Sequence, residues 1–167
     1  LHAINDFEYH QPTKIQNEVI PILIDKMQDL ISQSYSYTGK KIAFLISMML
    51  RINKDVHLPQ VICFTVINAQ TIDIFDIFTK LNTYTNIKGG VCMKYGEPPS
   101  KDSQILFGTP LSIDRFIQKN YIDVSNVNLL IIHETNMILD PFCDNYEAAT
   151  SIIKILPKTV QFGFFSH

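Results

Sequence analysis

Apolar positions along the chain follow two spacings that take turns. Between residues 12 and 26, Ile15, Val19, Ile22 and Leu23 recur at helical spacing, so a helix is predicted, with Pro21 as an irregularity because proline brings no N–H. A short strand follows at 29–33. Residues 40–53 are so uniformly apolar that a helix there must be mostly buried. "QVICFT" (60–65) is a β-rich run. Residues 69–81 read as an amphipathic helix whose stripe, Ile74, Ile77, Phe78 and Leu81, has the spacing i, i+3, i+4, i+7.

The second half repeats the scheme. A weaker strand at 90–93 precedes "QILF" (104–107), which feeds Gly108-Thr109-Pro110. There Thr109 is an N-cap and Pro110 takes the first position of a helix running to 119. "NLLIIH" (128–133) is almost continuously apolar, as a parallel strand buried on both faces requires. A helix at 146–156 and a strand at 160–165 complete the pattern. Such alternation predicts an α/β fold with a mostly parallel sheet and right-handed crossovers. Ligands in these sheets bind beyond the carboxyl ends of the strands. That singles out residues 34–41, 65–69, 108–110, 133–136 and 166–167.

Composition narrows the picture. A length of 167 residues fits one domain with one sizeable core. With 46% hydrophobic and 18% charged residues the chain is globular, not disordered. A net charge of −2 gives no broad field toward nucleic acid, so any RNA or DNA contact must come from local groups. Cys63, Cys92 and Cys143 are odd in number and far apart, which argues for a reducing compartment and against a disulfide framework. The five scattered His argue against a zinc site. No apolar run reaches the roughly 18 residues that span a membrane. The opening Leu1-His2-Ala3 has neither the regions of a signal peptide nor an initiator Met, so a fragment or processed product is expected.

The candidate chemistry begins with "SQSYSYTGKK" (32–41). A phosphate loop needs inward N–H groups, small residues, a Lys for phosphate charge and a hydroxyl for Mg²⁺. Gly39 and Lys40 meet two of these demands. Tyr37 adds bulk where a small residue is wanted, and Lys41 removes the hydroxyl. Taken alone, Gly39-Lys40 reads more readily as a polar turn opening a helix.

The order of further motifs changes that reading. "FEYHQPTKIQ" (7–16) is followed by the loop, "PQVICFT", "QILFGTP", "LLIIHETNMILD" and "LPKTVQFGFFSH". In this order and spacing the whole chain resembles the first RecA-like domain of DEAD-box RNA helicases. The branch it most resembles works in mRNA export at the nuclear pore. The resemblance implies a RecA-like, P-loop NTPase fold, with helices on both faces of an open, mostly parallel sheet. It implies that residues 1–167 are a single first lobe, from the Q motif to the start of the "SAT" motif, with the second lobe absent from this chain. In the family that second lobe completes the ATPase site and clamps RNA, so this chain alone is expected to be inactive.

Residue by residue, the resemblance implies that Gln16 reads adenine, with Phe7 or Tyr9 packed beside the base. The plain alternative is a buried aromatic pair and an exposed helical Gln. Ser34, Ser36, Tyr37, Thr38, Gly39, Lys40 and Lys41 form the ATP-binding loop, in which Tyr37 replaces a Gly and Lys41 the Mg²⁺-binding Thr. The "DEAD" motif becomes His133-Glu134-Thr135-Asn136. Glu134 keeps the place that polarises the attacking water. His133 replaces the Asp that holds Mg²⁺, and Asn136 replaces the Asp that couples to "SAT", of which Ser166 remains. Thr109 and Pro110 keep half of the RNA-binding "TPGR" motif, with Arg115 either a substitute contact or a solvated surface group. "PTRELA" survives only as residues 66–71, without its chemistry. Gly89-Gly90 match the family's paired glycines or form a plain turn.

ATP and RNA are therefore the implied ligands, with Mg²⁺ in doubt. RNA affinity is expected to be weak, and hydrolysis impaired. Protein partners of the mRNA-export type and an intracellular, nuclear or pore-associated location are implied as well. Two alternatives stand beside an active helicase domain: a pseudo-enzyme kept as a protein-binding or regulatory module, and an unrelated nucleotide-binding α/β protein.

Overall fold

A computed structural model describes residues 11–26, 28–35 and 38–167. The expectations for Phe7, Tyr9, Ser36 and Tyr37 lie outside the described residues. The fold has the elements α1 (Lys14–Pro21), β1 (Leu30–Gln33), α2 (Lys40–Leu50), β2 (Val61–Phe64), α3 (Asn68–Leu81), β3 (Gly89–Cys92), β4 (Ile105–Gly108), α4 (Pro110–Gln118), β5 (Leu129–His133), α5 (Thr135–Ile138), α6 (Asn145–Ile155) and β6 (Gln161–Ser166).

The six strands form one sheet in the order β1-β6-β5-β2-β4-β3, and every pairing is parallel. Successive side chains on a strand point to opposite faces. Val61, Cys63, Ile105, Phe107, Leu129 and Ile131 therefore pack on one side with α1, α2 and α3. Ile62, Phe64, Leu106, Leu130 and Ile132 pack on the other with α4, α5 and α6. The central strands β2, β4 and β5 are buried along their whole length, which explains their continuous apolar runs.

The predicted helix at 12–26 is corrected. It is α-helical only from Lys14 to Pro21, and a π-helical turn (Ile22–Lys26) follows. Proline cannot donate to the i−4 carbonyl, and a π turn is one way a helix absorbs that break. Gly89-Gly90 do not form a turn; they open β3. A Cβ at Gly89 would lie 2.4 Å from Phe78 Cε1, and one at Gly90 would lie 2.6 Å from Ser103 Oγ. The two glycines let α3 and the 99–103 loop close on the strand. The short helices α5 and 82–84 were not anticipated.

Because all strands run the same way, their carboxyl ends share one edge. Residues 34–35, 38–41, 65–69, 108–110, 133–136 and 166–167 gather there.

Candidate nucleotide-binding site

The site begins at the turn into α2. Gly39 caps this helix with φ 97° and ψ 9°, a left-handed conformation that glycine adopts without a Cβ penalty. A Cβ there would meet Gln16 Nε2 at 2.7 Å and Thr13 Oγ1 at 2.8 Å. Gln16 is buried, not exposed. It forms a capping box on α1: Thr13 N–H donates to Gln16 Oε1 (3.0 Å), and Gln16 N–H donates to Thr13 Oγ1 (3.4 Å). Gln16 Nε2 also donates to Gly39 O at 3.5 Å, a long bond that ties α1 to the loop. Ser34 Oγ and Thr38 Oγ1 lie 2.9 Å apart and staple the loop's two ends.

Lys40 points back toward the strand ends. Its ammonium donates to Ser34 O and, at 2.7 Å, to Ser166 O. Burial lowers its pKa, and the Glu134 carboxylate opposes that shift. Two carbonyl dipoles thus hold the charge where β1 and β6 finish. Lys41, next in sequence, turns to α3 and pairs with Asp73.

Strand β5 delivers His133 and Glu134. Glu134 caps α5 in the left-handed region (φ 64°, ψ 55°), where a residue with a Cβ is strained by about 1–2 kcal/mol. Its Oε2 lies 2.7 Å from His167 Nδ1, and its Oε1 lies 3.7 Å from His133 Nε2. His133 is buried, and its Nδ1 has no hydrogen-bond partner among the described residues. Burial pushes its pKa down to about 4; Lys41, Lys40 and His167 push the same way and Glu134 opposes. The ring is therefore neutral at pH 7. Thr135 Oγ1 faces Ile132 O (3.0 Å) and Phe165 O (3.3 Å), joining β5 to β6. Asn136 is exposed on α5.

The α4 end is built differently. Thr109 accepts from Ser112 N–H at 3.3 Å and caps a helix that opens with Pro110. Arg115 is turned away from this N-terminus. Its guanidinium donates to the carbonyls of Met93, Lys94 and Gly96, and lies 4.6 Å from the Phe116 ring centroid.

The sequence profile of the DEAD/DEAH box helicases matches residues 13–166. The chain belongs to this family. It is 28% identical to the ATP-dependent RNA helicase dbp5 of Schizosaccharomyces pombe, over 99% of this chain and 33% of that protein. Against the ATP-dependent RNA helicase ddx19 of Dictyostelium discoideum it is 29% identical, over 99% of this chain and 36% of that protein. The chain thus spans about a third of the length of these curated relatives. Its fold matches Saccharomyces cerevisiae Dbp5 bound to RNA and ADP BeF3, with a TM-score of 0.92 at 23% identity, covering 99% of this chain and 43% of that one. A DEAD box protein from Methanococcus jannaschii superposes with a TM-score of 0.90 at 22% identity, over 99% and 46%. The DEAD-box assignment and the RecA-like fold expected from the motifs are both correct.

Membership implies Mg²⁺, and this DEAD-box site does not fit it. Mg²⁺ is a hard ion that requires oxygen ligands in near-octahedral geometry. Where the resemblance expects a metal-holding Asp stands His133, buried and neutral, and where it expects a hydroxyl stands the Lys41 ammonium. Glu134 is engaged by His167. Among the described residues no three His, Cys, Asp or Glu side chains are placed to hold a metal ion.

Three participants escaped the sequence reading. The Thr13–Gln16 capping box was legible as Thr-x-x-Gln before an apolar run. Asp73 carried no signal, since it lies 32 residues from Lys41. Thr135 gave none either, because its role depends on β6 lying beside β5.

Proposed function

We propose that this chain is the ATP- and RNA-binding first lobe of a longer DEAD-box helicase-like protein with impaired ATP hydrolysis. One observation carries the reading. Lys40 is held at the strand ends behind a left-handed Gly39, which suits a phosphate, while neutral His133 and Lys41, paired with Asp73, stand at the positions the resemblance gives to the metal-binding groups. Phosphoryl transfer depends on positioning and charge stabilisation. Glu134 without a metal-bound phosphate has little to act on. In this reading Gln16 contacts the adenine, and the N–H groups at Thr109-Pro110 receive an RNA phosphate. RNA binding is weak without a second lobe.

The same rewriting favours a second reading, a catalytically dead pseudo-helicase that acts through protein partners of the mRNA-export type at the nuclear pore. Its support is the likeness to Dbp5, which in yeast is solved bound to Nup159 and Gle1. No helix among the described residues is long and apolar enough to cross a membrane.

Titration of the full-length protein with a fluorescent ADP analogue separates the two. Saturable binding that Lys40→Ala weakens by tenfold or more supports the nucleotide reading. No binding by the unaltered protein rejects it and leaves the protein-binding module.

A further inference from the structure

The first two residues of α2 are both lysines, and they have different partners. Lys40 is buried and held by backbone carbonyls. The Lys41 side chain is 40% exposed and its partner Asp73 is 55% exposed. An exposed ion pair of this kind is weak and opens readily. Lys41 is also electrostatically close to the end of β5, since its charge joins that of Lys40 in opposing protonation of His133. The position that would carry a negative charge for a cation is neutral, buried His133, with its Nδ1 unpartnered among the described residues. The two ammonium groups, by contrast, suit an anion. A polyphosphate entering the N-terminal turn of α2 would meet Lys40, the N–H groups of the first helical turn and the partly exposed Lys41 ammonium beside them.

We infer that the site takes a nucleoside di- or triphosphate free of divalent metal, with Lys41 leaving Asp73 to serve as the counter-cation. The inference rests on the nucleotide-binding reading above and adds the form of the ligand. Two consequences follow from charge alone. Mg²⁺ in solution competes with the protein for the phosphates, so added metal does not strengthen binding. Asp73 competes with the phosphates for Lys41, so neutralising it strengthens binding.

Calorimetric titration of the full-length protein with ADP, once in EDTA and once with excess Mg²⁺, tests this. The expected result is a Kd in EDTA equal to or tighter than that in Mg²⁺. Lys41→Thr should then weaken the EDTA affinity about tenfold, and Asp73→Asn should tighten it a few-fold. Thermal melting of both variants checks that these exposed substitutions leave the fold intact. Binding at least tenfold tighter with Mg²⁺ overturns the inference while keeping the nucleotide reading. So does an EDTA affinity that Lys41→Thr leaves unchanged in a folded protein. Absence of binding in both buffers overturns both.

Discussion

The two edges of the sheet handle polar groups in opposite ways. At the amino edge, Gln60, Gln104, Asn128 and Gln161 stand immediately before or at the start of β2, β4, β5 and β6. Gln60 and Gln104 hold the carbonyls of Asn53 and Val56. Arg51, at the end of α2, donates to Leu23 O, to Asn128 O and Oδ1, and to Gln161 Oε1. Gln161 passes the link on to Gln28 O. Asp29, just before β1, accepts from Phe162 N–H at 2.8 Å, and Lys88, just before β3, pairs with Asp102, so the charges of this edge are tied to backbone or to one another. At the carboxyl edge the groups are charged or titratable: Lys40, Lys41, Glu134, His133 and His167. Two backbones there are left-handed, and a buried imidazole nitrogen has no partner among the described residues. Apart from Ser103 Oγ, which is buried without a partner among the described residues, satisfied groups mark the amino edge; strain and unbalanced charge mark the edge where the candidate site lies.

Arg51→Ala attacks the first half of this contrast and should have the largest effect. It strips charge-assisted donors from Leu23, Asn128 and Gln161, for a loss of roughly 2–4 kcal/mol in urea unfolding. Nucleotide affinity in the folded fraction should be unchanged. A loss of affinity equal to the loss of stability would show that the edges are not separate.

The pH dependence of stability probes the other edge. Unfolded His133 takes up a proton near its ordinary 6.5, whereas folded His133 resists until about 4. Its contribution is therefore complete above pH 6.5, declines as the pH falls, and levels off below about 4. The span is on the order of 3 kcal/mol. His133→Leu should flatten that part of the profile. An unchanged slope would place the proton uptake elsewhere.

Gly39→Ala sharpens the contrast at smaller cost. The new Cβ strains a φ of 97° and crowds Gln16 and Thr13. About 1–2 kcal/mol of stability should be lost. Because Lys40 follows directly, nucleotide affinity should fall further than stability does. Equal losses would mean that the turn is only structural.

Much of the fold was legible because buried parallel strands read as apolar runs. All six strands lie within a residue or two of their expected places. Strand order was not legible, since nothing in residues 161–166 says that they lie between β1 and β5. "PQ" before β2 and "LPK…Q" before β6 were read as family likeness. Their physical role, closing the amino edge, became visible only in three dimensions. At the candidate site, Gly39 and Lys40 stood out because a phosphate loop calls for those residue types, and Glu134 stood out only through the likeness of residues 133–136 to the family's motif. Lys41 could be seen to replace a hydroxyl, but its pairing with Asp73 depends on how α2 and α3 pack. Arg115 was weighed as an RNA contact or a solvated group. Neither reading anticipated that its planar fork would gather three carbonyls of the 93–96 turn.

The most direct test is RNA-stimulated ATP hydrolysis by the full-length protein, measured beside a variant carrying Tyr37→Gly, Lys41→Thr, His133→Asp and Asn136→Asp. The account predicts background turnover for the natural protein and RNA-dependent turnover for the restored one. Robust RNA-stimulated turnover by the natural protein would contradict it.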